Sequence, residues 1–215
     1  MGHPQLIFGS ELEVVWAAPF ITSLDRDSSR GIEMSADEVV TQAAQLITRG
    51  DYAGAMTVFD GYIDSNPDDP AGYHGWAEAA LFDIQENGNL DEKGADRINE
   101  GQIAAYFRRA AGMAPDNADY NAAYAGALVE FDRIPMAVRQ LHKLVEIGKA
   151  SDEVDVSFHL YEAARGLIDA IDLKTNFDRS APIARQYISE AVTFAMLGLG
   201  FSSAEEAIEY LHMDE

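Results

Sequence analysis

The chain has 215 residues, enough for one domain with a substantial core, and it carries 37 acidic against 15 basic side chains. Its net charge of −22 argues against nucleic acid and anionic membranes as partners and favours a basic or apolar protein surface. Because cysteine is absent, disulfides, thiolate zinc sites and cysteine nucleophiles are excluded.

We interpret residues 1–34 as an irregular leader with one short helix around Trp16 that ends at Pro19. Trp16 and Phe20 are expected either to cover one end of a helical domain or to bind a partner. The leader has no basic segment before an apolar stretch, and the chain has no apolar run of membrane-spanning length. We therefore expect a cytoplasmic protein.

Residues 43–67 predict two helices joined by a tight turn. Gly50 suits a left-handed backbone at the turn, and Asn66-Pro67 ends the second helix. Before them, Ser35 and Glu38 form a capping-box pattern that starts the first helix. The second helix has an apolar stripe made of Tyr52, Ala55, Met56, Phe59, Tyr62 and Ile63.

Two constant shifts in the sequence indicate a repeat. Three residues of the second helix recur 82 residues later, as Ala55, Phe59 and Tyr62 followed by Ala137, Leu141 and Leu144. Three residues of the next hairpin recur 48 residues later, as Trp76, Ala77 and Ala80 followed by Tyr124, Ala125 and Leu128. The shifts differ by 34, and the 14 further residues of the second shift predict an inserted loop within 83–101.

The order Gly50, Tyr52, Ala55, Phe59, Tyr62, Pro67 resembles the second half of a tetratricopeptide repeat (TPR). This resemblance implies an all-α fold, an α-solenoid of TPR-like helix hairpins over residues 35–200 with three clear repeats and one degenerate repeat. A helix is expected over residues 152–171, although a step of 34 places His159 and Glu162 at core positions there. A capping helix is expected in 201–215, started by Ser203 and Glu206, with its apolar residues Ala207, Ile208 and Leu211 facing inward.

TPR solenoids bind peptides on a concave face that the first helix of each hairpin lines. By resemblance, the peptide-binding positions here are Asp37, Val40, Ala44, Ile47, His74, Glu78, Leu81, Asp119, Ala122, Gly126, Val129 and Glu130. This surface is apolar and small at its floor and is edged by carboxylates. It suits an apolar or basic segment of a partner.

We expect no metal, cofactor or catalytic site. Residues 83–91 look like part of an EF-hand loop, but the closing carboxylate position is Gly94. His74 and Glu78 lie one helical turn apart, without a third metal ligand in the sequence pattern. The Gly-rich and nucleophile motifs of common enzymes do not occur in the sequence.

The sequence thus predicts a non-catalytic TPR adaptor or scaffold that binds a protein or peptide. A secretion-type TPR chaperone is a narrower alternative, in which residues 1–34 mediate dimerisation. A structural homo-oligomer is another, in which the leader docks into a neighbouring groove. An acidic mimic of nucleic acid is a third alternative, but it does not explain the apolar floor.

Overall fold

Helices account for most of the residues that the computed structural model describes, which are 35–90, 94–150 and 154–212. These ranges contain nine helices, namely α1 (Ala36–Ile47), α2 (Tyr52–Ser65), α3 (Pro70–Asn87), α4 (Glu100–Met113), α5 (Ala118–Glu130), α6 (Ile134–Ala150), α7 (Ser157–Thr175), α8 (Pro182–Leu199) and α9 (Ala204–His212). The predicted all-α class is therefore confirmed for this part of the chain. The predictions for the leader, residues 1–34, lie outside the described residues.

The first hairpin forms for the local reasons that its sequence predicts. The Ser35 hydroxyl accepts the Glu38 N–H, and the Glu38 carboxylate accepts the Ser35 N–H at 2.9 Å, which completes the capping box of α1. Gly50 has a φ of +74°, so the chain reverses at a residue without a Cβ. The Asp51 carboxylate then accepts the Gly54 N–H at 2.9 Å and starts α2.

Glycines of α3 bring this helix into close contact with α2. A Cβ placed on Gly75 would lie 2.2 Å from the Phe59 ring, so this position accommodates only glycine without rearrangement. Tyr62 donates its hydroxyl proton to the Asp69 carboxylate, and Asp69 also accepts the Ala71 N–H at the start of α3. Phe59 and Tyr62 are both buried. Their role is the packing of two helices and the start of a third.

The residues related by the two constant shifts are buried, as predicted. They are Ala55, Phe59, Tyr62, Trp76, Ala77, Ala80, Tyr124, Ala125, Leu128, Ala137, Leu141 and Leu144. They belong to two apolar clusters, which both include residues of α5. Burial of each large apolar side chain contributes about 1.5–3 kcal/mol to stability.

The inserted segment differs from the prediction because α3 continues through Asn87. Asp83, predicted to begin the loop, is a buried helical residue. Its carboxylate accepts two hydrogen bonds of 2.8 Å from the Arg97 guanidinium, and Arg97 also donates to the Gly88 carbonyl. This ion pair, formed at the buried Asp83 carboxylate, fastens the loop back onto α3.

The fourth hairpin is formed by α7 and α8, and α7 begins at Ser157 instead of residue 152. The Asp155 carboxylate accepts the Ser157 N–H at 2.8 Å. Ala164 and Leu167 are fully buried, and they follow Ala125 and Leu128 by 39 residues. The repeat step is therefore five residues longer here than the predicted 34, which explains why the shorter step reached His159.

At the C-terminal end, α9 packs on α8. Ser203 accepts the Glu206 N–H at 3.2 Å, as predicted, and Ala207 is fully buried. The prediction that Ile208 faces inward is wrong, because this side chain is 40% exposed. Leu211, the third residue predicted to face inward, is half-buried and packs against the core cluster that includes Ala207.

Consecutive helices contact each other along the chain, and so do first helices of neighbouring hairpins. α1 contacts α3, and α5 contacts α7. The rings of His74 on α3 and Tyr120 on α5 lie 4.8 Å apart. The helices that carry the predicted binding residues therefore contact one another in the order α1, α3, α5.

Candidate functional site

On α1, the predicted binding residues lie beside the core without belonging to it. Val40, Ala44 and Ile47 are half-buried, and Asp37 is exposed. Val39 and Ala43 of the same helix are buried. The face of α1 that carries the predicted residues is therefore an apolar surface with partial access to solvent.

On α3, two side chains interrupt an otherwise fully buried stretch. Between Gly72 and Ala80, His74 and Glu78 are the residues that retain partial exposure, and Leu81 follows as a half-buried residue. Their spacing places all three on one helical face. α3 is the most buried of the three helices, and through this face it keeps partial access to solvent.

The His74 imidazole is held among aromatic rings. Its centroid lies 4.8 Å from the Tyr120 ring and 5.7 Å from the Phe107 ring. Burial lowers the pKa of His74 to about 4, although the negative charge of Asp119 opposes this shift. The imidazole is therefore neutral at pH 7 and supplies no positive charge to its neighbours.

The Glu78 carboxyl has no counterion in the described part of the chain. No hydrogen bond or ion pair from a described residue reaches it. Burial raises the pKa of Glu78 to about 7. A half-buried carboxyl without a partner is costly to the fold, and such groups are enriched at functional sites.

On α5, the predicted residues range from half-buried to open. Ala122 and Val129 are half-buried. Gly126 is exposed, and a Cβ added to it would meet nothing within 4 Å. Burial raises the pKa of the Glu130 carboxyl, and the charge of Glu100 adds to this shift. Space for a partner side chain therefore lies directly over Gly126.

Asp119 connects the predicted surface to α7. Its carboxylate lies 3.1 Å from the His159 imidazole, and this contact is the main cause of the lowered pKa of Asp119. Val129 also borders α7, because a Cβ on Gly166 would lie 3.6 Å from it. Of the predicted set, His74 and Asp119 interact electrostatically across the α3–α5 contact.

The sequence prediction did not extend this surface onto α7. With the step of 39 residues, the counterparts of Ala122, Gly126 and Val129 are Tyr161, Arg165 and Ile168. Tyr161 is half-buried, Arg165 is exposed and Ile168 is buried. These three counterparts are identified by the burial of Ala164 and Leu167, which fixes the step of 39 residues. The 34-residue step of the earlier repeats does not lead to them.

A shallow, open depression of about 300 Å³ lies along α1. It is lined by the polar residues Asp37, Glu38, Thr41, Gln42 and Gln45. Asp37 is the one residue it shares with the predicted binding set. The depression is therefore a feature of the polar side of α1 and does not coincide with the apolar face.

The EF-hand-like segment has another role in the structure. The Asp83 carboxylate is bound by Arg97 and by the Asn87 side-chain amide, so its oxygens are already occupied. Within residues 35–90, 94–150 and 154–212, no group of three or more His, Asp or Glu side chains is arranged to hold a metal ion.

Comparison with known proteins gives no family for the chain. No protein-family model matches it, and no curated protein matches it. A solved structure from Bacteroides ovatus ATCC 8483, named as a candidate protein-binding protein, is similar over 82% of this chain and 96% of that chain. The identity is 15% and the TM-score is 0.30, so this likeness carries no argument about function. None of the described helices has the length and apolar character needed to cross a membrane.

Proposed function

We propose that this chain is a non-catalytic adaptor or scaffold that binds a protein or peptide on the face formed by α1, α3 and α5. In this proposal the hairpins stack as a TPR-like α-solenoid, and that face is its concave side. One observation supports it above others: seven apolar or small residues at the predicted positions all keep access to solvent. They are Val40, Ala44, Ile47, Leu81, Ala122, Gly126 and Val129.

Apolar surface of this kind gains free energy when a partner covers it. A partner side chain that becomes fully buried contributes about 1.5–3 kcal/mol, before the cost of association is subtracted. Ala44, Ala122 and Gly126 leave room for such side chains because they are small. Carboxylates at Asp37 and Glu130 border the surface and are exposed. They favour approach of a basic segment and disfavour an acidic one.

The proposal is tested by filling the surface with a bulky cation. A partner is first isolated by affinity capture from the native lysate, identified by mass spectrometry and purified. We expect Ala44→Arg and Ala122→Arg each to abolish its binding in isothermal titration calorimetry, because the long side chain occupies the partner's place. Far-UV circular dichroism should show unchanged helix content in both variants.

Ala53→Arg is the matched control, because Ala53 is an exposed residue of α2, outside the proposed surface. This variant adds the same charge to the same chain and should bind the partner as the unmodified protein does. Unchanged affinity for both Ala44→Arg and Ala122→Arg would overturn the proposed surface.

A further inference from the structure

The three helices of the proposed surface carry carboxylates and no permanent cation. The ranges of α1, α3 and α5 contain seven acidic residues, Asp37, Glu38, Glu78, Asp83, Glu86, Asp119 and Glu130, and neither lysine nor arginine. Asp83 is neutralised by Arg97 from the following loop, and Asp119 contacts His159 of α7. The other five carboxylates have no such cationic partner among the described residues.

Glu78 differs from the remaining carboxylates by its position. It lies on α3, the helix that contacts both α1 and α5, between the fully buried residues Ala77 and Ala79. The candidate counterion one turn away, His74, is neutral at pH 7 because aromatic rings enclose it. A carboxyl group without a positively charged neighbour therefore lies on the middle helix of the apolar surface.

We propose that Glu78 receives one lysine or arginine side chain of the bound segment, within a stretch whose neighbouring residues are apolar. This inference rests on the proposed function, because it names the chemistry of the segment that the same surface would bind. The cation supplies the charge-assisted hydrogen bonds that the carboxylate lacks in the free protein. The aliphatic stem of lysine or arginine would pack on apolar neighbours such as Leu81.

A partner segment with one lysine or arginine opposite Glu78 differs from a segment with many basic residues. Exposed carboxylates such as Asp37 attract positive charge from any direction and are screened by salt. A half-buried carboxylate is screened less, and it discriminates strongly against a partner group that leaves it unpaired. The surface would therefore select the position of one basic residue as well as the sign of the charge.

The experiment is a selection of random twelve-residue peptides displayed on phage against the full-length chain. Parallel selections use Glu78→Gln, which removes the charge and keeps the shape, and Glu86→Gln, an exposed position two turns further along α3. Binding of the enriched peptides to Ala44→Arg is also measured, and it tests whether the peptides bind the face of α1, α3 and α5. Peptides enriched on the unmodified chain are synthesised, and a second version replaces the lysine or arginine with norleucine.

We expect the enriched peptides to carry one lysine or arginine between apolar residues. Their affinity should fall about tenfold or more on Glu78→Gln and change by less than about twofold on Glu86→Gln. The norleucine version should bind the unmodified chain and Glu78→Gln within about twofold of each other, because the cation–carboxylate contact is then absent from both.

Two other outcomes separate this inference from the proposed function. Enriched peptides that lose binding with Ala44→Arg but lack a basic residue, or bind Glu78→Gln equally well, would overturn the role of Glu78 and leave the surface intact. If Ala44→Arg weakens the binding of no enriched peptide, or no peptide is enriched, both proposals fail.

Discussion

Glu78 and His74 are ionisable groups on the same face of α3, and burial shifts their pKa values in opposite directions. Burial favours the uncharged form of each group, so the pKa of Glu78 rises to about 7 and that of His74 falls to about 4. Each shift lowers the stability of the folded chain in the pH range where the unfolded group is charged. The His74 ring packs on Phe107 and Tyr120. The Glu78 carboxyl, in contrast, has no described partner that offsets its cost, and this supports a role of Glu78 in recognition.

The stability cost of Glu78 is measurable as a dependence on pH. Between its ordinary pKa of 4.5 and its folded pKa of about 7, the folded chain retains a proton that the unfolded chain has lost. The free energy of unfolding is therefore not reduced by Glu78 below pH 4.5, and the reduction grows as the pH rises through 7. We expect Glu78→Gln to match the unmodified chain near pH 4 and to be more stable by about 1–3 kcal/mol at pH 8.

Urea unfolding followed by circular dichroism at several pH values provides this comparison. His74 is present in both proteins, so its own contribution cancels in the difference. Glu86→Gln is the control, because Glu86 is exposed and should give a difference of less than about 0.5 kcal/mol at every pH. A Glu78→Gln difference that does not change between pH 4 and pH 8 would show that this carboxyl is not desolvated.

At the scale of the helix, close packing of α2 on α3 sets the position of the central helix of the surface. A Cβ on Gly75 would lie 2.2 Å from the Phe59 ring, whereas one on Gly61 would meet nothing within 4 Å. Gly75→Ala should therefore lower the free energy of unfolding by about 1–3 kcal/mol, because the Phe59 ring must shift. Gly61→Ala should raise it by about 0.5–1 kcal/mol, because alanine is the better helix former.

Thermal and urea unfolding of these two variants test the hairpin contact directly. Both glycines lie inside helices, so intrinsic helix propensity alone predicts the same gain for each substitution. A stabilised Gly75→Ala variant would contradict the close approach of α2 and α3.

How far the sequence determines the structure differs between the repeated helices and the irregular connections. The burial of Ala55, Ala77 and Ala125 could be predicted because small residues recur with constant shifts, and the repeated pattern reflects repeated contacts. The Asp83–Arg97 ion pair could not be predicted, because it joins residues across an irregular loop that has no period.

The position of α7 was unpredictable for a related reason. Five extra residues before Ala164 move the fourth hairpin out of the 34-residue step, and a length change in a connection leaves no periodic signal. For the candidate site, the positions named from the sequence on α1, α3 and α5 are half-buried or exposed, and their role in binding stays a prediction. It did not predict that His74 is enclosed by aromatic rings, since the contacts with Phe107 and Tyr120 come from two other helices.

For the whole molecule, lysine and arginine are distributed unevenly among the helices. α1, α2, α3, α5 and α9 contain no lysine or arginine, whereas α4, α6, α7 and α8 carry Arg108, Arg109, Arg139, Lys143, Lys149, Arg165, Lys174 and Arg185. The proposed binding surface is thus acidic even relative to a chain of net charge −22. This distribution favours approach of a basic partner segment on the face of α1, α3 and α5.

Binding of a partner on the face of α1, α3 and α5 is tested most directly by methyl NMR. The full-length chain, labelled in Ala, Ile, Leu and Val methyl groups, is titrated with a peptide enriched in the phage selection. We expect the largest shift changes at Ala44, Ile47, Leu81, Ala122 and Val129. Changes absent there and confined to Leu173 and Ile183, exposed apolar residues at the C-terminal end of α7 and the N-terminal end of α8, would contradict binding on this face.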